Sequence, residues 1–135
     1  MASILVIDDE ALIRETIKAM LQMEGHEIAL APHGEEALRR FRTQAFDLVI
    51  CDLFTARRDG TETVSAIRRA APEVPIIAMA GGAGDAPTSG GRDPAPTLEH
   101  ARLIGVTATL GKPFRSRELF ALVRRCLDKA APSAP

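Results

Sequence analysis

Short, nearly unbroken apolar runs that alternate with longer stretches of helical period constrain this chain more than any other feature of it. Residues 3–7 carry almost no polar alternation, which a strand tolerates when helices cover both of its faces. Ile13, Ile17, Met20 and Leu21 then recur at helical spacing, and Gly25 stands beyond them as a stop signal. The pair repeats. Residues 27–31 form a second, poorer strand, and Ala37, Leu38 and Phe41 mark a helix whose other face carries Glu35, Glu36, Arg39 and Arg40. Residues 47–51 make a third strand running into Asp52, and Val64, Ile67 and Ala71 continue the helical stripe after Asp59-Gly60. Residues 74–80 and 106–110 supply strands four and five, and Leu119, Val123, Cys126 and Leu127 form the apolar face of a last helix. Strands alternating with helices in this way predict an α/β fold, a doubly wound five-stranded parallel sheet with strand order 2-1-3-4-5.

Between strands four and five the pattern breaks. Residues 81–96 are crowded with glycine and proline and have no apolar period, so they predict a loop. Loops longer than about 12–15 residues are uncommon in compact domains and are either functional or mobile. Residues 98–104 supply a short helix after it. A chain of 135 residues fits one domain, expected over 1–129, with 130–135 as a frayed tail.

Lys and Arg total 17 against 18 Asp and Glu, a net charge of -1, which provides no field to hold a nucleic acid or an anionic membrane. The first apolar run is too short for a secretory signal, and no stretch is long enough to span a bilayer. Cys51 and Cys126 sit inside apolar patterns without metal or redox spacing, as expected for buried free thiols in a cytoplasmic protein. His26, His33 and His100 share no ligand spacing and are expected at the surface, whereas Met20, Met23 and Met79 are expected in the core.

The strand C-termini of an open parallel sheet converge on one edge, and the site of such a fold lies there. Asp8 and Asp9 follow strand one, Asp52 ends strand three and Lys112, followed by Pro113, ends strand five. Three neighbouring carboxylates repel one another unless a cation neutralises them. Mg2+ suits the place, because it takes hard oxygen ligands from one or two carboxylates together with a phosphate oxygen. Asp52 would then be a nucleophile toward a phosphoryl group, Asp9 and Asp52 metal ligands, and Lys112 the neutralising charge. The acidic run at 8–10 could instead cap the first helix, a role compatible with metal binding.

The segments Ile4-Leu5-Val6-Ile7-Asp8-Asp9-Glu10, Asp47-Leu48-Val49-Ile50-Cys51-Asp52-Leu53 with Asp59-Gly60, and Lys112-Pro113-Phe114 resemble the three signature blocks of response-regulator receiver domains (CheY-like) of two-component signalling. The resemblance covers residues 3–128. It implies a flavodoxin-like fold and phosphorylation of Asp52 by a histidine kinase or phosphotransferase. It further implies Mg2+ bound directly by Asp9, through water by Asp8, and by the Phe54 backbone carbonyl. Lys112 would bind the phosphoryl group, and the Lys112-Pro113 bond would be cis.

The chain also departs from that family. Ala80 stands where receivers carry a Thr or Ser at the end of strand four, and Thr109 where many carry an inward-turning aromatic. Thr55, Ala56 and Arg58 replace the usual Met, Pro and Met, and the segment between Ala80 and Lys112 is longer than in ordinary receivers. The first expectation is a phosphoacceptor without an output domain, signalling to an unknown downstream protein by binding or by phosphate transfer. The alternative is a degenerate receiver that acts by binding alone. A phosphatase on a similar sheet would need a carboxylate two residues after the nucleophile, where this chain has Phe54.

Overall fold

The computed structural model describes residues 2–53, 60–81 and 105–130. Five parallel strands, β1 (Ser3–Ile7), β2 (Glu27–Ala31), β3 (Leu48–Asp52), β4 (Ile76–Gly81) and β5 (Ala108–Lys112), pair in the order β2-β1-β3-β4-β5. Among the described residues four helices accompany them: α1 (Ala11–Met23), α2 (Gly34–Thr43), α3 (Gly60–Ala70) and α4 (Ser116–Ala130). The order is the predicted one. The loop expected over 81–96, the short helix over 98–104 and Phe54, Thr55, Ala56, Arg58 and Asp59 fall outside the described residues, apart from Gly81, which ends β4.

The alternation of side chains along each strand builds two cores, one per face. Leu5, Ile7, Val49, Cys51, Ala78 and Ala80 pack with Val64 and Ile67 of α3 and Ala37 of α2. Ile4, Val6, Ile50, Ile77, Met79 and Leu110 pack with Ile17 and Leu21 of α1 and with Leu119, Val123 and Cys126 of α4. Every residue of β3 is buried, as a central strand covered on both faces requires. Cys51 and Cys126 are buried free thiols, as expected.

α1 ends in a Schellman turn. Gly25 takes φ +89°, its N–H donates to the Gln22 carbonyl, and His26 N–H donates to the Leu21 carbonyl. At Gly34 the constraint is steric, since a Cβ there would meet the buried Thr63 of α3, so α2 and α3 approach at this point only without a side chain.

Three expectations need correction. Met23 is not core but 83 % exposed. It lies two residues past Leu21, about 200° around the helix from the buried stripe. β5 begins at Ala108 and runs through Lys112 rather than over 106–110, and β4 begins at Ile76 rather than at 74. Thr107 precedes the ladder, where its N–H donates to the Ile76 carbonyl and its hydroxyl accepts from Ile76 N–H. Gly111 and Lys112 continue the pairing against Ala80 and Gly81, although Gly111 adds no apolar side chain that a periodicity could register. The histidines at 26 and 33 are partly buried and each accepts a backbone N–H, His26 from Ala2 and His33 from Glu36 as the N-cap of α2.

Arg68 closes the far end of the sheet. Its guanidinium donates to the carbonyls of Ala71, Pro72, Val74 and Gly105, tying the end of α3 and the turn before β4 to the approach to β5.

Candidate functional site

The site grows from three strand ends. Asp8 leaves β1 with its N–H still donating to Ala31 O of β2 at 3.2 Å. Asp52 is the last residue of β3, paired with Met79 of β4, and the next N–H, of Leu53, donates to Met79 O at 2.8 Å. Lys112 ends β5, and the Lys112-Pro113 bond is cis.

One carboxylate oxygen from each of Asp8, Asp9 and Asp52 lies within 4.8 Å of the others. Asp8 is fully enclosed and Asp52 is 2 % exposed, while Asp9 is half-buried. The Lys112 ammonium donates to Asp52 Oδ2 at 3.1 Å and to Asp8 Oδ2 at 3.5 Å. Burial alone would lower the Lys112 pKa, but the Asp52 and Asp8 carboxylates outweigh it and the pKa is raised. The Cys51 thiol is driven well above its usual range by burial and then by the Asp52 and Asp8 carboxylates, so it stays protonated and inert.

The β1-α1 turn is bonded into place as well. Glu10 N–H donates to Asp8 Oδ1 at 2.9 Å, and Arg14 of α1 donates from Nη1 to the Asp8 carbonyl at 2.7 Å. Glu10 occupies the N-cap position of α1 without a side-chain cap bond. The signal that could have found Arg14 was its place six residues after Asp8 in the first turns of α1, where side chains lean back toward the helix N-terminus.

Three hard carboxylate oxygens with two of the three residues buried, and the Lys112 ammonium bonded to two of them, form an acidic set. Its donors are the kind Mg2+ accepts, and a divalent ion would offset the repulsion among them. The structure therefore brings together Asp8, Asp9, Asp52 and Lys112 of the sequence-predicted site, and the remaining predicted ligand, the Phe54 carbonyl, lies outside the described residues.

β4 contributes differently. Ala80, 1 % exposed, pairs with Gly111, and Thr109, half-buried, pairs with Ala78. Among the described residues, the end of β4 presents no side-chain hydrogen-bond donor to the acidic cluster.

Comparison with known proteins agrees with this geometry. Residues 4–124 match the response regulator receiver domain family. The response regulator MprA of Mycolicibacterium vanbaalenii is 30% identical over 129 residues, 96% of this chain and 52% of that protein. The transcriptional regulatory protein ZraR of Klebsiella oxytoca is 40% identical over 76 residues, 56% of this chain and 17% of that protein. The chain thus spans about half or less of the length of these relatives. The crystal structure of the receiver domain of NtrX from Brucella abortus superposes with a TM-score of 0.81 at 29% identity, covering 93% of this chain and 98% of that one. A CheY-like response regulator receiver domain protein from Methanospirillum hungatei gives 0.81 at 25% identity, with 96% of each chain covered. With its signature carboxylates and lysine gathered at the sheet edge where that fold places its site, the chain belongs to the receiver-domain family of two-component response regulators.

Proposed function

We propose that this receiver accepts a phosphoryl group on Asp52 from a histidine kinase or phosphotransferase, with Mg2+ bound by Asp9, Asp52 and the Phe54 carbonyl and, through water, by Asp8. The observation that carries this is the Lys112 ammonium bonded to both buried carboxylates within a three-carboxylate cluster. When bound, Mg2+ would neutralise the phosphoryl oxygens against the acidic cluster. An Asp52 carboxylate oxygen attacks phosphorus in line. The bond from phosphorus to the donor's imidazole nitrogen breaks, and its electron pair stays on that nitrogen, which takes up a proton. Lys112, already held at the end of β5, shifts its charge from the carboxylates to the incoming phosphoryl oxygens. Asp8, bonded to Lys112 and Glu10, keeps the ammonium aimed at that position.

The domain extends over 1–129 in this proposal and acts in the cytoplasm through a downstream protein or by passing the phosphoryl group on. No membrane contact is needed, and among the described residues no helix is long and apolar enough to cross one. Nucleic-acid binding has no support in a net charge of -1. The regulatory roles named for MprA and ZraR belong to proteins with further sequence outside the match.

A second reading, a receiver that signals by binding alone, is favoured by Ala80 at the end of β4. Intact-mass measurement separates the two. After incubation with a small phosphodonor and Mg2+, the wild type gains one phosphoryl group and Asp52→Asn gains none. Equal gain in both would remove Asp52 from the proposal, and no gain in either would favour the binding-only receiver.

A further inference from the structure

We infer that Arg14 is a positioning residue for the metal-binding acidic pair, acting through the peptide that joins Asp8 to Asp9. This inference rests on the proposed metal site. Arg14 Nη1 donates to the Asp8 carbonyl at 2.7 Å, and that carbonyl is part of the same rigid peptide plane as the Asp9 N–H. Holding the carbonyl fixes the plane, and the plane sets the direction in which Asp9 leaves the chain.

The rest of Asp8 is already immobilised. Its N–H is bonded to Ala31 O of β2, Oδ1 to Glu10 N–H and Oδ2 to Lys112. The carbonyl is the remaining polar group of that residue, and the Asp8-Asp9 peptide is the link between the enclosed carboxylate and the half-buried one. Arg14 is itself anchored, because its N–H makes an early α1 bond to Glu10 O at 3.0 Å. Helix, turn and strand end thus form one closed set of bonds, with the guanidinium as the member that spans from α1 back to β1.

The guanidinium also adds a cation at the Asp8 carbonyl, on the edge of the acidic cluster. Charge alone would make Arg14 an opponent of metal binding, whereas positioning makes it a supporter. Metal affinity therefore distinguishes the two roles by sign. Metal-ligand geometry is sensitive to outer partners, whose loss typically weakens binding by about 10- to 100-fold. Because the contact here is to a carbonyl two bonds removed from the ligand residue, the low end applies.

The test is calorimetric titration with Mg2+ alone, in the full chain, of wild type, Arg14→Ala, Arg14→Lys and Asp9→Asn, with amide exchange at Asp9 and Glu10 in the metal-free protein. Arg14→Ala is expected to weaken Mg2+ binding roughly tenfold and to speed exchange at those two amides. Arg14→Lys is expected to recover most of the affinity, since the contact uses a single donor nitrogen. Binding by Arg14→Ala as tight as wild type or tighter, with Asp9→Asn impaired, overturns the positioning role and leaves the metal site standing. A loss in Arg14→Ala that Arg14→Lys does not recover also overturns it, pointing to general damage. Wild-type binding by Asp9→Asn overturns the metal site itself and the inference with it.

Discussion

The ends of β1, β3 and β5 and the end of β4 lie on one edge of one sheet, yet they are built to different specifications. The first three end in Asp8 with Asp9, Asp52 and Lys112, charged groups of which Lys112 bonds Asp8 and Asp52. β4 ends in Ala80 and Gly81, small residues with no side-chain polar group. The resemblance to receivers gives the strand-four position a hydroxyl that follows the phosphoryl group, and the strand-five position a partner aromatic. A methyl has no differential interaction with an anion, and a ligand shifts a conformational equilibrium only by its differential affinity for the two states. The difference teaches that, under the proposed function, the parts that would hold a phosphoryl group and the parts that would report it are separable, even on neighbouring strands.

The charged side of that comparison breaks most visibly at Lys112. Lys112→Met leaves two buried carboxylates facing one another and is expected to cost about 3 kcal/mol in metal-free protein, the low end for breaking a buried ion pair. Urea unfolding with and without Mg2+ checks this, and the metal should recover part of the loss. The raised folded-state pKa of Lys112 gives the pH dependence its sign. Its stabilising contribution is complete below the ordinary lysine value of about 10.4 and is lost as pH rises through the higher folded value. The stability gap between wild type and Lys112→Met should stay constant from neutral pH up to that ordinary value and narrow only beyond it. A gap that closes near pH 8 would show that the ammonium does not serve the carboxylates.

A smaller effect of opposite sign is expected at Asp9. Asp9→Asn removes one like charge from a cluster whose oxygens lie within 4.8 Å, and should stabilise the metal-free protein by about 1 kcal/mol. It should also abolish the rise in melting temperature expected of the wild type with Mg2+. Destabilisation by Asp9→Asn without metal would mean that the cluster is not strained by its own charge.

No larger effect is expected at β4. Gly111, paired with Ala80, adds no side chain on the β5 side, and Ala80 is buried, so Ala80→Thr is expected at the low end for a small-to-large core change, about 1 kcal/mol. A larger loss in thermal or urea unfolding would show that the methyl at 80 is required by packing and is no simple vacancy of function.

Most of the sheet and its charged edge could be read from residue order, because each depends on a local pattern. Unbroken apolar strands such as 48–51 require two covered faces, and Asp52 follows directly from the end of one of them. Part of what escaped the sequence depended on bonds between distant segments. Met23 fits an apolar count but misses the buried stripe by half a turn. The shift of β5 to Ala108–Lys112 is set by Thr107 bonding to Ile76, a contact across 31 positions. Arg14 and Arg68 act through carbonyls of other elements, which no side-chain periodicity can indicate. His26 and His33 were expected at the surface as histidines without ligand spacing, and their backbone contacts depend on chain geometry at Ala2 and Glu36.

The central claim, that the acidic centre is complete while its route to β5 and α4 is not, is tested most directly by mapping amide chemical shifts on addition of beryllium fluoride with Mg2+. The account predicts large changes at residues 8–10, 52–53 and 112 in the wild type, and small ones over the rest of 106–127. The double variant Ala80→Thr with Thr109→Tyr should extend the changes into that segment, since it restores both moving parts. Large changes throughout 106–127 in the wild type, equal to those of the double variant, would contradict the account.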